Sequence, residues 1–288
     1  MEIAVRVYDE LSTKTTEQEI QEPYKFKTYT HPNYKRIFVF DTETTADQYQ
    51  NLLFGSFVVK RDNVIDEIGL FYNPDTVSED GLNILKAYCK KDSTLRLYTL
   101  QEFNEDIFYQ FVHRKMIPCI AFNMPFDISR LSIGFGYAKG KIMKGGFVFK
   151  LSDKAQYPPI RIKHLNSSQH SINFQSTQFS KFKGYFVDCQ TLAGIMMDKK
   201  HVTLAAACKN YNKIYKDLDK DQEHGVIKEK YIDYNITDTL ATAELFTKLK
   251  NEFDRFEVNL PIHMVFSSAS IGKSALEKLG IVPFMVTV

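Results

Sequence analysis

Three separated stretches of this chain carry acids in patterns that chemistry can use. In Phe38-Val39-Phe40-Asp41-Thr42-Glu43, two carboxylates stand two residues apart after an apolar run. On an extended strand, residues two apart project to the same face. Two anions on one face repel unless a cation lies between them, and a hard divalent ion with oxygen ligands is the natural partner. The same pattern also fits an ordinary strand end leading into a polar turn. In Ile120-Ala121-Phe122-Asn123-Met124-Pro125-Phe126-Asp127, Pro125 breaks the extended run and lets a helix start near Phe126. Asp127 then lies in the first helical turn at the carboxyl end of a strand, where ligand sites of open α/β sheets gather. A carboxylate there also stabilises a helix N-terminus. In the stretch from Tyr231 to Asp238, Tyr234 and Asp238 are four apart and share one helical face. A phenol and a carboxylate could meet a cleft together there, or simply face solvent.

The elements that must position these groups follow from periodicity. Apolar, β-branched and aromatic content predicts strands over Arg36–Phe40, Leu53–Val59 and Ile68–Tyr72, the last two an antiparallel continuation. Helices are expected over Leu82–Lys90 and Leu100–Lys115, the second with Leu100, Phe103, Ile107, Phe108, Phe111 and Val112 at helical spacing. Ile117–Phe122 reads as a strand. Phe147–Leu151 and Ile160–Leu165 read as a hairpin. Tyr185–Val187 reads as a short strand leading to Asp188, a suitable N-cap for the next helix. Thr203 suits the cap of another. A long helix runs from about Glu229 to Phe253, with Ile236, Leu240, Ala243, Phe246, Leu249 and Phe253 as its apolar stripe. Strands interleaved with helices imply an α/β layer architecture. Residues 1–30 read as an extension and 31–255 as the main domain. Residues 256–288, with a strand-like run and a short helix, read as the possible start of a longer chain.

Taken together, these motifs are more specific than any one of them. D-x-E on the first strand, N-x-x-x-D at the second site and Y-x-x-x-D on a late helix occur in the order and spacing of the DEDD exonucleases. The chain resembles the DEDDy branch of that ribonuclease-H-like (DnaQ-like) group, and within it the exonuclease domains of family B DNA polymerases. Ser267-Ser-Ala-Ser-Ile-Gly-Lys273 adds to the likeness, which spans roughly residues 37 to 281. The resemblance implies a ribonuclease-H-like mixed β-sheet flanked by helices, with a basic β-hairpin insertion. It implies 3′→5′ hydrolysis of DNA with two divalent cations, Mg²⁺ or Mn²⁺ as substitute, about 4 Å apart. Asp41 would be shared by both ions, with Glu43 and Asp238 completing the site of the attacking water. Asp127 would serve the second ion, and Tyr234 would orient the water. Single-stranded or frayed 3′ ends and a polymerase domain are the implied partners. The rival readings are a catalytically silent nucleic-acid-binding module and an RNA-trimming exonuclease with the same site.

Charge is unevenly placed. The 288 residues have a formal net charge of only +2. Yet 139–183 holds nine of the 37 Lys and Arg and one acid, Asp153. A basic segment on an otherwise acidic body suggests a face that meets a polyanion, although a solvated loop has the same signature. Within or beside it, Asn123, Lys141, Lys144, Phe147 and Lys163 are the candidate nucleic-acid contacts. Tyr137 and Phe149 are further rings that could stack on bases. Gly145-Gly146 suits a tight turn or a close approach to phosphate.

Ile271-Gly272-Lys273-Ser274 resembles the end of a phosphate-binding loop, but Ser267 stands where the first glycine is needed. Too few residues follow for a nucleotidase core. Four dispersed cysteines make reduced thiols in a cytoplasmic setting the simplest expectation, and the resemblance implies a bacterial or phage-type host. No apolar run is long enough to suggest a membrane span.

Overall fold

A computed structural model describes residues 27–62, 64–139, 144–166, 169–211 and 224–281. The frame is a six-stranded mixed sheet in the order β10-β5-β1-β2-β3-β4. Its strands are β1 (Arg36–Thr44), β2 (Leu52–Arg61), β3 (Val64–Tyr72), β4 (Leu95–Thr99), β5 (Cys119–Ala121) and β10 (Phe186–Asp188). β2 pairs antiparallel with β1 and β3, while β4 lies parallel to β3 and β5 parallel to both β1 and β10. Five strands therefore share one direction, and the carboxyl ends of β1, β5 and β10 lie together.

Alternation along β1 sends its side chains into two cores. Phe38 and Phe40 pack on one face with Phe103, Phe108, Phe111, Met124 and Ile128. Ile37 and Val39 pack on the other with Val187, Leu192, Leu245, Phe246 and Leu249. The first face is covered by α2 (Leu100–Glu102, running on with π-type hydrogen bonds over Phe103–Arg114) and α3 (Met124–Leu131). The second is covered by α4 (Cys189–Met197), α5 (Leu204–Tyr211) and α6 (Glu229–Asp254). α1 (Glu79–Lys91) packs against the start of α6 in a third cluster around Leu85, Leu95 and Ile232.

A second, four-stranded antiparallel sheet follows α3 in the order β6-β7-β8-β9: Gly134–Tyr137, Phe147–Lys150, Ile160–Asn166 and Gln169–Phe174. The expected hairpin partners do pair, Phe147 with Ile162 and Phe149 with Ile160. They are the middle of a sheet, however, not a free-standing hairpin. Gly134 and Gly136 hid β6, because glycine is a poor strand former, and β9 is mostly polar. Gly145 turns the chain at φ +84°, and a Cβ at Gly146 would lie 2.6 Å from the Ile162 carbonyl oxygen. Both glycines are thus accounted for by strand pairing.

The strand-like run at Ile262 is instead a single 3-10 turn, Ile262–Met264, set by Pro261 and followed by α7 (Ser268–Lys278) with a capping box at Ser267. Ile271-Gly-Lys-Ser274 lies inside α7, so its amides serve the helix and no phosphate loop exists. Residues 1–26 of the expected N-terminal extension and 282–288 of the C-terminal segment lie outside the described residues. Leu260, Ile262, Val265 and Ile271 are buried in the α6-side core. No helix among the described residues is long and apolar enough to cross a membrane.

Candidate functional site

The carboxyl ends of the parallel strands gather the acids. Asp41 and Glu43 follow Val39 in the alternation of β1 and so face α6. α6 is keyed onto the sheet by Ser56, whose hydroxyl lies 2.6 Å from the Thr239 hydroxyl and donates to the Asn235 carbonyl at 3.2 Å. That docking lays three α6 side chains along β1. Asn235 donates to Asp41 Oδ2 at 2.6 Å and to Glu43 Oε1 at 3.4 Å. Tyr231 donates to Glu43 Oε2 at 2.5 Å. Asp238 is buried and accepts a hydrogen bond from the half-buried Tyr234.

Asp127 arrives from the opposite face. α3 packs Met124, Ile128 and Leu131 beneath β1, so its first turn rises past the strand end. There Thr42, which alternation points away from α6, donates to Asp127 Oδ1 at 2.6 Å. The other oxygen, Oδ2, is buried without a hydrogen-bond partner. Asn123 begins α3 at φ +66°, and its side chain makes no cap bond. Its backbone is held from elsewhere: Asp188 Oδ1 accepts from the Asn123 and Met124 amides at 2.9 and 3.2 Å. The same carboxylate caps α4 through the Gln190 and Thr191 amides and the Thr191 hydroxyl. Asp188 thus does what the sequence suggested and a second task besides.

The electrostatics are those of crowded anions. Burial pushes the Asp41 carboxyl well above the usual range, and the charges of Asp127, Glu43 and Asp238 push it further. Burial raises Asp127 as well; the Thr42 bond opposes this, while Asp188 and Glu43 add to it. Glu43 is pushed up to about 7, chiefly by burial, against the stabilising bonds of Tyr231 and Asn235. Burial and the adjacent Asp238 raise the Tyr234 phenol, so it stays a protonated donor. The four predicted acids and Tyr234 therefore form one electrostatically coupled set, drawn from β1, α3 and α6.

Among the described residues, no group of three or more His, Cys, Asp or Glu side chains is arranged to hold a metal ion. The carboxylates instead spend oxygens on Thr42, Tyr231, Asn235 and Tyr234. The donor set still suits a divalent cation: hard oxygens, excess negative charge and a buried unpartnered Asp127 oxygen. Each carboxylate oxygen keeps a second lone pair, so a cation can add to oxygens that these donors already orient.

The remaining predicted contacts are scattered. Lys141 lies outside the described residues. Lys144 is exposed at the β6–β7 connection, Phe147 is on β7, and Lys163 is half-buried on β8. Tyr231, Asn235 and Thr42 were not anticipated. Tyr231, Asn235 and Asp238 stand at i, i+4 and i+7, a helical row that could have revealed the first two. No protein-family model matches the chain, and no curated protein matches its sequence.

Proposed function

We propose that this protein is a metal-dependent 3′→5′ exonuclease that hydrolyses DNA phosphodiester bonds from the 3′ end. The observation that carries the reading is the convergence of Asp41, Glu43, Asp127 and Asp238, with Tyr234, from three distant stretches onto one strand end. The mixed sheet, with β1–β2–β3 extended by parallel β5 and β10, agrees with the ribonuclease-H-like architecture that the motifs suggest. The DNA preference and the polarity rest on the resemblance of those motifs to DEDDy exonucleases.

In this reading the four carboxylates would hold two Mg²⁺ ions. When bound, these ions lower the pKa of an attacking water and stabilise charge on the attacked phosphate and the leaving oxygen. The rest falls to the chain's own groups. Asn235 and Tyr231 fix the rotamers of Asp41 and Glu43, while Thr42 fixes Asp127. Tyr234, held protonated, would turn its O–H from Asp238 to the attacking water and align it against the phosphorus. Burial pushes the Glu43 carboxyl up to about 7 in the free protein, so ion binding near neutral pH competes with a proton and apparent affinity rises with pH.

The test is hydrolysis of a 5′-labelled single-stranded oligonucleotide with Mg²⁺ or Mn²⁺, beside an EDTA control and an Asp41→Ala variant. The expected result is a ladder shortening from the 3′ end, lost with EDTA and in the variant. Binding without shortening under either metal would overturn the enzyme and leave a nucleic-acid-binding module. Undiminished hydrolysis by Asp41→Ala would overturn the mechanism.

A further inference from the structure

The four-stranded sheet has a face that the acid cluster does not use. Alternation places Phe135 and Tyr137 on one side of β6, and the register sets them opposite Phe149 and Phe147 of β7. Those pair onward with Ile160 and Ile162 of β8. Towards β8 this face is core: Ile160, Ile162 and Phe174 are fully buried beside α2. Towards β6 it runs out into solvent. Phe135 and Tyr137 are each 82% exposed and Phe147 is 37% exposed. The Tyr137 and Phe147 rings lie 5.8 Å apart at 31°, and Phe147 and Phe149 follow at 6.3 Å and 38°. The result is a row of rings open on one side. Contiguous apolar patches of this kind are uncommon on soluble surfaces and mark contact sites.

Charge identifies the occupant. The chain from 139 to 183 holds nine basic residues and one acid. That acid, Asp153, is paired with Lys150. Lys139 and Lys144 are exposed at the Tyr137–Phe147 end of the row. A partner that suits cations and flat rings together is an anionic polymer with accessible π faces, and single-stranded nucleic acid has both. A duplex offers the charge but keeps its base faces stacked. An acidic protein would match the lysines, but to cover the rings it would need apolar side chains set among its acids.

We propose that Phe135, Tyr137 and Phe147, flanked by Lys139 and Lys144, form a binding platform for single-stranded nucleic acid, separate from the acid cluster. Only seven residues lead from Asp127 to Gly134: four finish α3, roughly 6 Å at 1.5 Å per residue, and three are extended, at most about 10 Å more. A strand with its 3′ end at the acids can therefore reach the platform with nucleotides further back. That placement rests on the nuclease reading; the platform itself does not.

The test is fluorescence anisotropy of a labelled single-stranded 20-mer and of a duplex, in EDTA, with the full chain and with the Phe135→Ser/Tyr137→Ser double variant. Both side chains are solvent-exposed, so the variant's thermal midpoint should match. The single strand is expected to bind at least about tenfold tighter than the duplex. The double variant is expected to lose about tenfold or more for the single strand, from base–ring stacking, and Tyr137→Phe to keep the affinity. Equal affinity of the double variant would overturn the proposal. So would a self-associating unmodified chain that the double variant makes monomeric, since the face would then join two copies. Cleavage of a dinucleotide by the unmodified chain is read in parallel. Failure there counts against the nuclease reading alone, because the platform stands or falls on the binding comparison.

Discussion

Asp188 offers a way to test how the site is positioned without touching its acids. One carboxylate serves two helix starts: it caps α4, and it accepts from the Asn123 and Met124 amides that open α3. Serine is as good an N-cap as aspartate but too short to span both helices. Asp188→Ser should therefore keep the α4 cap and release α3. Two hydrogen bonds to a charged acceptor are lost, each about 1.5–3 kcal/mol in net terms. Water can replace part of this at the half-buried Asn123, so about 2–3 kcal/mol of stability should go. Asp188→Ala should cost about 1 kcal/mol more, the value of the lost cap. Both variants free the turn that carries Asp127, and both should weaken divalent-ion affinity alike. Residues that orient ligands in this way are typically worth roughly 10- to 100-fold. Urea denaturation gives the stabilities, and Mn²⁺ titration followed by EPR gives ion binding without any need for turnover. If Asp188→Ser binds Mn²⁺ as the unmodified chain does, and only Asp188→Ala is destabilised, Asp188 is an ordinary helix cap and the positioning argument fails.

Other outcomes follow from the same geometry. Tyr231→Phe removes the donor that holds Glu43, whereas Tyr234→Phe removes the proposed water-orienting hydroxyl. The first should raise the Mg²⁺ concentration needed for half-maximal rate several-fold, and the second should lower kcat at saturating Mg²⁺; a reversed pattern in a metal-dependence assay would exchange their roles. His263, hydrogen-bonded to Tyr34 at 2.8 Å, is pushed down from 6.5 to about 4 by burial, with His31 adding to the effect. Between those pH values the unfolded chain binds a proton that the folded chain does not, so stability rises with pH by up to about 3 kcal/mol from this group. His263→Gln should flatten that part of the urea-midpoint profile between pH 4 and 6.5, and parallel profiles would refute it. Lys144→Glu should weaken oligonucleotide binding and reduce its salt dependence, and an unchanged slope of affinity against salt would place the phosphates elsewhere.

How much of this was legible in the sequence depended on the range of the contact. The D-x-E pair could be read because strand alternation is local, and β1 does turn Asp41 and Glu43 to one side. Asp127 could be read because Pro125 marks a helix start, and α3 opens at Met124. β4 was missed: Leu95–Thr99 is half-exposed, lies at the sheet edge and follows α1 closely. Its pairing with β3 is a long-range fact. Tyr234 and Asp238 mark one helical row in the sequence, while Asp238 also ends a second row with Tyr231 and Asn235. Nothing local chooses between two rows that share a residue. The Ser56–Thr239 contact, joining residues 183 apart in sequence, makes the choice by rotating α6 on the sheet.

The acids are independent in sequence and coupled in space because of where the strands stop. Asp41 and Glu43 face α6, whereas Asp127 belongs to the layer beneath the sheet. An anion from one layer normally stays shielded from anions of the other by the strands between them. Here the shield ends with the strands, since β5 stops at Ala121 and β10 at Asp188, one residue short of the level of Asp41. Past that edge β1 runs on paired with β2 alone, so on its β5 side the two layers are no longer separated by a strand, and Thr42 and Asn235 each carry one layer's donor to its acid. Like charges brought together there cost stability in the free protein. A fold that nonetheless delivers four of them, on three elements, to the one edge where the layers communicate has a cation as its simplest physical partner.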